Sequence, residues 1–578
     1  MKNFNSRRVA WLLLISLVTT TSAPLVSSAN VQRERQTKAQ TAKPTPSPVA
    51  PPVSVATPSP SPSPSANPIA SPTPALVKTS TPTRSVAELQ TRITEILRKP
   101  ELESAMVGIK VVSLDTGRTI FEENATKLLR PASNMKIYTV ATALDRLTPD
   151  FRFNTSVYAR SKPDSSGVVR GDLTIYGRGD PSIAARFNNG DYVKGIDELA
   201  SRIVSAGVKR VEGDLVGDET YFVGPQYGSG WEWEDLTWYY GAEVSALTAN
   251  DNALDLFVKP GPDIGKAAIV TTGPPDPLLT IENQVVTAPK GTRRRISVYR
   301  GLGEDKVTVS GTIPIDDRGY TGGIGISHPS LLFVYLLRSS LTQKGVVITG
   351  KSRMTGSVDP TMLSAGVTMN LMNGTVTSAA PSGQVEITSM QSPPFSVIAA
   401  QTLKPSQNLY TELILRTLGK VVPPQTPSDE ERQTSEDLGL EAVKGFLKNT
   451  GIRPESLVLS DGSGLSRNDM ITADASVQLL TFMSKHRYAD AFRDALPIAG
   501  VDGTLRNRLK NTPAENNLRA KTGSLSSAAS LAGYVTTAAR ERLVFSIMVN
   551  NYPSDVEPRV ACIDPIAVLL ASFSGRSE

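Results

Sequence analysis

The sequence predicts an α/β protein in which an antiparallel sheet, flanked by helices, is interrupted by two inserted β-rich domains. Strand patterns lie near both ends of the 578-residue chain, each beside an apolar helical pattern, so we expect one sheet built from the two ends. The middle, from about residue 154 to 395, is rich in short β-like runs, Gly and Pro. Roughly 490 residues follow the N-terminal segment, more than a single hydrophobic core organises.

The first 29 residues predict a secretory signal peptide. Lys2, Arg7 and Arg8 precede an apolar run over residues 9–18, and small residues follow up to Ala29. This order of a basic, an apolar and a small-residue region is typical of an export signal. We therefore expect an exported protein of the periplasm or cell envelope; left uncut, the apolar run would be a short anchor.

Residues 30–84 predict an extended linker. Residues 43–84 hold 13 of the 42 prolines and no acidic residue, a composition that cannot bury a core. Residues 1–87 hold nine of the 61 Lys and Arg but one of the 55 acids, which leaves 52 basic and 54 acidic residues in the rest. Because the folded part is slightly acidic, a nucleic-acid partner is excluded, while the basic tail suits peripheral association with anionic wall or membrane.

A catalytic domain is predicted over residues 85–153 and 396–578. Ser85 and Glu88 form a capping box at a helix start, a hairpin turns at Asp115, and a helix begins near Ser133. Toward the C-terminus, residues 518–536 and 543–549 predict antiparallel strands, followed by an apolar helix that ends near Phe573. The inserted domains are predicted over residues 154–250 with 326–395, and over residues 251–325.

The small number of histidines and cysteines limits which catalytic groups the protein can use. The chain has two histidines, neither beside a Gly-x-Ser-x-Gly elbow, and one cysteine, Cys562, so a His-based triad and a Cys/His zinc site are poorly supported. Lysine is the other base available to a nucleophile. Ser133-Asn134-Met135-Lys136 places a hydroxyl and an amine one helical turn apart, where partial desolvation could keep the amine neutral. Alone, this pattern also fits an ordinary solvated lysine.

Two further motifs follow in the chain. Lys521-Thr522-Gly523-Ser524 lies where the chain enters a strand, where Lys and hydroxyl groups can hold a carboxylate and the glycine lets a ligand approach. Ser406-x-Asn408 opens a helix over residues 409–418 that Gly419 is expected to cap.

The order Ser-x-x-Lys, Ser-x-Asn, Lys-Thr-Gly in an exported, histidine-poor chain resembles the penicillin-interacting serine enzymes. From about residue 85 to the C-terminus, the chain is more specifically similar to the D-alanyl-D-alanine carboxypeptidase/endopeptidase family, the class C low-molecular-mass penicillin-binding proteins. Their transpeptidase-like (β-lactamase-like) domain carries two insertions between the first and second motifs. Further matching stretches are residues 130–136, 177–181, 230–233, 408–412 and 461–467.

The resemblance implies a role for each motif residue. Ser133 would attack the carbonyl between two D-alanines with Lys136 as general base, and Ser406 would pass the proton to the leaving amine. Asn408 would orient Lys136 and the substrate amide. The backbone amides of Ser133 and Ser524 would form the oxyanion hole. Lys521, Thr522 and Ser524 would receive the terminal carboxylate, close to Gly523.

Two further binding residues rest on the same resemblance. Ser466-Arg467-Asn468 also spells Ser-x-Asn, but Asn-Leu-Tyr-x-Glu follows Ser406 as it does in the family, which favours Ser406 as the second motif. Arg467 is then expected to line the substrate cleft. Asp218 matches an inserted-domain aspartate that faces the free amine of diaminopimelate, since a carboxylate pairs with an ammonium.

We therefore predict a serine-type D-Ala-D-Ala carboxypeptidase, with D-alanyl endopeptidase activity as a second expectation. It would act on peptidoglycan stem peptides, be inhibited by β-lactams and need no metal or organic cofactor. One alternative is a β-lactamase that uses the same motifs, disfavoured because a large insertion follows the first motif. The other is a non-catalytic envelope adaptor that keeps the motifs as scaffold.

Overall fold

The computed structural model describes residues 83–274, 276–355, 383–422 and 433–578, with two isolated strands between residues 356 and 382. The predicted signal peptide and nearly all of the predicted linker lie outside these residues. The helices are α1 (Val86–Leu97), α2 (Met135–Leu147), α3 (Lys194–Ser205), α4 (Pro329–Gln343), α5 (Phe395–Leu403), α6 (Asn408–Val421), α7 (Ser435–Asn449), α8 (Ala473–Met483), α9 (Ala489–Ala495) and α10 (Asp564–Ser572).

The strands fall into seven sheets within the described residues. They are β1 (Met106–Ser113), β2 (Thr119–Glu123), β3 (Asn154–Ala159), β4 (Val168–Arg170), β5 (Leu173–Tyr176), β6 (Arg210–Glu212), β7 (Leu215–Asp218), β8 (Ala253–Lys259), β9 (Ile269–Gly273), β10 (Thr280–Ala288), β11 (Arg295–Arg300), β12 (Lys306–Pro314), β13 (Tyr320–Gly325), β14 (Val347–Ile348), β15 (Ser352–Met354), β16 (Val367–Asn370), β17 (Thr375–Ser378), β18 (Val385–Gln391), β19 (Leu457–Val458), β20 (Met470–Ile471), β21 (Arg519–Leu525), β22 (Ala528–Thr536) and β23 (Arg542–Asn550).

One five-stranded antiparallel sheet joins the two ends of the chain, as predicted. Its order is β2-β1-β23-β22-β21, and β1 pairs with β23 in the register Ile109 to Ile547. Alternate residues of β23 face opposite sides: Val544 and Met548 join the core of α2 and α5–α9, whereas Phe545 and Ile547 join the core of α1 and α10. Both faces are therefore covered by helices, and β21 remains as an edge strand.

Local signals explain the boundaries of this domain. The Ser85 hydroxyl accepts a hydrogen bond from Glu88 N at 3.2 Å, and the Glu88 carboxylate accepts one from Arg84 N at 2.9 Å, so α1 begins where the capping box predicts. The single strand predicted over residues 518–536 is wrong: the chain turns between β21 and β22 at Ser526 and Ser527. Ser527 has a φ of 53°. This left-handed conformation is uncommon for serine, so the sequence did not predict a turn here.

The predicted end of α6 is also wrong. The helix continues beyond Gly419 to Val421, and a Cβ on Gly419 would lie 2.2 Å from the backbone oxygen of Ser435 in α7. The glycine therefore serves the close packing of two helices instead of capping one.

The inserted region contains the remaining larger sheets. A mixed sheet, β15-β7-β5-β3-β18, buries one core with α3 and α4. The three-stranded sheets β10-β12-β11 and β13-β8-β9 share a second core that includes Val258 and Val309. The predicted fold class, an α/β domain interrupted by β-rich insertions, is confirmed. No helix among the described residues is long and apolar enough to span a bilayer.

Candidate active site

Ser133 lies in a short turn that joins the edge of the sheet to α2. Ala132, just before it, has a φ of 48°, and the 3-10 turn Ala132–Asn134 leads directly into α2. Ser133 is partly exposed, whereas Ala132 and Asn134 are buried. The turn therefore presents the serine hydroxyl at the surface of a packed backbone.

Two glycines hold this turn in place. A Cβ on Gly464 would lie 1.9 Å from the backbone oxygen of Ala132, and one on Gly523 would lie 2.6 Å from that of Pro131. Ser530 Oγ also donates a hydrogen bond of 2.6 Å to the Pro131 oxygen. The missing side chain of Gly523 therefore admits the turn that carries Ser133.

Lys136 is completely buried, and its amine has three oxygen neighbours. Nζ lies 2.9 Å from Ser133 Oγ, 2.5 Å from Asn408 Oδ1 and 2.7 Å from the Ser463 carbonyl oxygen. The amide and carbonyl oxygens are pure acceptors, while a serine hydroxyl both donates and accepts. This set of partners suits a neutral amine that receives the Ser133 proton as well as an ammonium.

Burial lowers the pKa of Lys136 from its usual value to about 7, against the opposing charges of Asp461, Glu412 and Asp469. Desolvation disfavours the ammonium, and the nearby carboxylates favour it. At neutral pH a substantial fraction of Lys136 is therefore the free amine that can accept a proton.

Lys521 forms the second half of the cluster. It too is fully buried, and its Nζ donates to Ser406 Oγ and to the Thr522 carbonyl, both at 2.8 Å. Burial, followed by the charge of Lys136, holds the pKa of Lys521 well below its usual value. The Thr522 hydroxyl donates to the hydroxyl of Thr504 at 2.7 Å, while Ser524 is exposed at the end of β21.

The structure therefore brings together Ser133, Lys136, Ser406, Asn408 and Lys521, with Thr522 and Gly523 adjoining them. Sequence reasoning missed the backbone oxygen of Ser463 and the side chain of Thr504. The Gly-rich stretch at residues 461–467 could have indicated the Ser463 contact, since such a stretch exposes backbone carbonyls. Thr504 has none that we recognise.

Arg467 forms ion pairs with two acidic residues of the inserted region. Its guanidinium donates to Asp235 Oδ2 at 2.6 Å and lies 3.1 Å from Glu232 Oε2. Asp218 lies at the end of β7, where Oδ1 accepts hydrogen bonds from Thr220 N at 3.0 Å and from Thr355 Oγ1 at 3.2 Å. Neither residue hydrogen-bonds to a member of the lysine and serine cluster among the described residues.

Within the described part of the chain, no group of three or more His, Cys, Asp or Glu side chains is arranged to hold a metal ion.

A serine bonded to a buried lysine one turn later, with a second buried lysine on a serine from another motif, defines the class of penicillin-interacting serine enzymes. The model of the D-Ala-D-Ala carboxypeptidase 3 (S13) family matches residues 89–361 and 357–573, so the chain belongs to this family. The enzyme class predicted from the sequence, a serine-type D-Ala-D-Ala carboxypeptidase, is confirmed.

Individual relatives agree with this assignment. The chain is 32% identical over 501 residues to a D-alanyl-D-alanine carboxypeptidase of an Actinomadura species, covering 85% of this chain and 86% of the relative. It is 25% identical over 466 residues to a D-alanyl-D-alanine carboxypeptidase of Haemophilus influenzae, covering 79% and 88%. The crystal structure of penicillin-binding protein 4 from Haemophilus influenzae has the same fold, with a TM-score of 0.67 at 22% identity over 82% of this chain and 98% of that one.

Proposed function

We propose that this enzyme removes the terminal D-alanine of peptidoglycan stem peptides through an acyl-enzyme on Ser133. The observation that carries the proposal is the position of the buried Lys136 amine, 2.9 Å from the Ser133 hydroxyl and between two acceptor-only oxygens. The serine proton passes to Lys136 as Oγ attacks the carbonyl between the two D-alanines. The C–N bond then breaks, D-alanine leaves as the amine, and water hydrolyses the ester.

The leaving amine must gain a proton when the C–N bond breaks. Ser406 is the donor in this scheme, and its hydroxyl accepts a hydrogen bond of 2.8 Å from Lys521 Nζ. The proton that Lys136 took from Ser133 replaces the one that Ser406 gives to the amine, so both groups return to their starting protonation states. Lys136 takes a proton from the nucleophile, and Lys521 supports the hydroxyl that gives one to the product.

The terminal carboxylate of the substrate is bound by Lys521, Thr522 and Ser524 at the edge strand β21. The Lys521 amine and two hydroxyls are a suitable set of hydrogen-bond donors for a carboxylate, and an edge strand offers free backbone groups along the peptide. The backbone amides of Ser133 and Ser524 form the oxyanion hole in this scheme. Such a donor is worth a few kcal/mol in the transition state.

Arg467 and Asp218 contact the stem-peptide side chain in this proposal. When the substrate binds, Arg467 would release the exposed Glu232 carboxylate and pair with a carboxylate of the substrate. Its ion pair with Asp235 would remain. Asp218 would take an ammonium of the third residue, since its carboxylate has neutral donors as partners.

Three further parts of the proposal each have their own support. A β-lactam complex exists for the Haemophilus penicillin-binding protein 4, whose fold this chain shares at a TM-score of 0.63, and β-lactams are expected to acylate Ser133 here. The signal-like N-terminus supports export to the cell envelope. Cleavage of D-alanyl cross-links is a second activity of the same centre, because both reactions cut a bond after D-alanine.

The test is acylation by fluorescent penicillin, with the modified residue identified by mass spectrometry and Ser133→Ala as control. A stable adduct on Ser133, together with D-alanine release from a peptide ending in D-Ala-D-Ala, supports the proposal. Rapid nitrocefin turnover would favour a β-lactamase instead. A folded protein without any adduct would favour the adaptor. Release of monomers from cross-linked muropeptides tests the endopeptidase activity, and N-terminal sequencing of periplasmic protein tests export.

A further inference from the structure

Residues 226–241, called the strap here, belong to the inserted region but lie against the catalytic elements. The Ser229 amide donates to Glu436 of α7 at 2.9 Å. The Tyr240 carbonyl accepts from Asn408 at 2.8 Å. Between them, Trp231 Nε1 donates to Asp461 Oδ2 at 2.8 Å.

Asp461 is the point at which this contact reaches the active site. Its carboxylate is fully buried and accepts six hydrogen bonds. The donors are Ser463 N and Oγ, Gly464 N, Leu465 N, Ser466 N and Trp231 Nε1, at 2.6 to 3.1 Å. An acceptor with this many donors is an ionised carboxylate. It folds the loop of residues 461–467 around itself.

The folded loop then fixes Lys136. Within it, the Ser463 carbonyl accepts from Lys136 Nζ at 2.7 Å, and the Gly462 carbonyl accepts from Thr139 Oγ1 at 2.8 Å, both donors on α2. Without the Asp461 carboxylate the loop amides lose their common acceptor, and the Ser463 carbonyl is no longer held against the amine.

We infer that Asp461 and Trp231 are positioning residues for the proposed general base, so that one side chain of the inserted strap, Trp231, supports catalysis from outside the three motifs. The inference rests on the proposed function in that Lys136 activates Ser133. Trp231 acts through Asp461, Asp461 acts through the Ser463 carbonyl, and neither touches the substrate. The groups facing Lys136 and Asp461 in the described residues include Glu412, Asp469, Glu436, Arg416 and Lys521.

The chain offers a matched pair of variants. Trp231→Phe removes the Nε1–H donor but keeps a ring to pack beside Leu409 and Leu413. Trp233→Phe changes a neighbouring tryptophan that is 57% exposed. Asp461→Asn removes the charge at nearly unchanged volume.

The experiment measures the rate of fluorescent-penicillin acylation of the full mature protein against penicillin concentration and pH. We expect Trp231→Phe to lower the limiting acylation rate about tenfold at an unchanged half-saturating concentration, the effect of one lost charge-assisted hydrogen bond. Trp233→Phe should match the wild type. Asp461→Asn should lower the rate further and move the acid limb of the pH profile to lower pH, because a negative charge that favours protonated Lys136 is gone.

A Trp231→Phe protein acylated at the wild-type rate would overturn the inference, and this variant decides the matter if Asp461→Asn fails to fold. A drop in melting temperature with wild-type kinetics would also overturn it, since that outcome is purely structural. Failure of the proposed function looks different, because the wild type itself would then take no penicillin.

Discussion

The backbone oxygen of Tyr240 accepts a hydrogen bond of 2.8 Å from the side-chain amide of Asn408. Asn408 begins α6 in the catalytic domain, whereas Tyr240 belongs to the inserted region. Because the amide nitrogen is committed to Tyr240, the amide oxygen faces Lys136 Nζ at 2.5 Å. The insertion thus determines the orientation of a side chain in the centre of the catalytic cluster.

Replacing Lys136 by methionine should reduce the acylation rate about 10³-fold, the usual scale of general-base catalysis. Methionine fills a similar volume in a site with no exposed surface, so the fold should persist. The rate is measured with fluorescent penicillin. Lys420→Met is the matched control, since Lys420 is a partly buried lysine of α6 that lies over the Tyr221 ring. Equal losses in the two variants would contradict the role of Lys136.

The acylation rate should rise with pH through an acid limb near pH 7. Burial lowers the pKa of Lys136 to about 7, and the free amine above that pH is the form that accepts the Ser133 proton. Protonation below it removes the base. The measurement is the acylation rate constant from pH 5 to 9. A limb near the ordinary lysine pKa of about 10.4 would show that burial does not activate the amine.

Much of this fold and site could be predicted because the signals were local. The N-cap signal at Ser85 and the strand pattern of β23 depend on neighbouring residues alone. The start of α1 and the presence of β23 are both confirmed, although the Glu88 carboxylate accepts from Arg84 N and not from Ser85 N as a capping box requires. The three motifs are also short and follow one another in a fixed order along the chain, so they can be recognised without the structure. The structure brings their members together around Lys136 and Lys521.

The features that escaped prediction depend on partners far along the chain. Gly419 looked like a helix cap, but its role follows from α7, which packs against it. Arg467 looked like a free cleft residue, yet Glu232 and Asp235 reach it from more than 200 residues away. Backbone acceptors such as Tyr240 leave no mark in the sequence, because any residue carries a carbonyl.

Gly523→Ala should abolish acylation while the protein remains folded. The new Cβ would lie 2.1 Å from Ser530 Oγ and 2.6 Å from the Pro131 oxygen. The Ser530 hydroxyl can rotate away from the new Cβ. The Pro131 oxygen can move only together with its backbone, so the turn that carries Ser133 must shift. Penicillin labelling and a melting curve test this. Gly195→Ala, in α3 with its nearest atoms at 3.3 Å, is the control, and wild-type labelling of the Gly523 variant would refute the close-approach argument.

The two acidic partners of Arg467 should differ sharply in their effect on stability. The Asp235 side chain is 9% exposed and burial raises its pKa, whereas Glu232 is 49% exposed. Arg467→Ala leaves the Asp235 carboxylate buried without its cation, and removing one member of a buried pair costs about 3 kcal/mol. Glu232→Gln removes only an exposed pair, which is worth less than about 1 kcal/mol. Melting temperatures of both variants test this, with Asp235→Asn in the Arg467→Ala background expected to recover part of the loss because the uncompensated charge is gone. Equal destabilisation by the two single variants would mean that the buried Asp235 pair does not hold the strap to the catalytic domain.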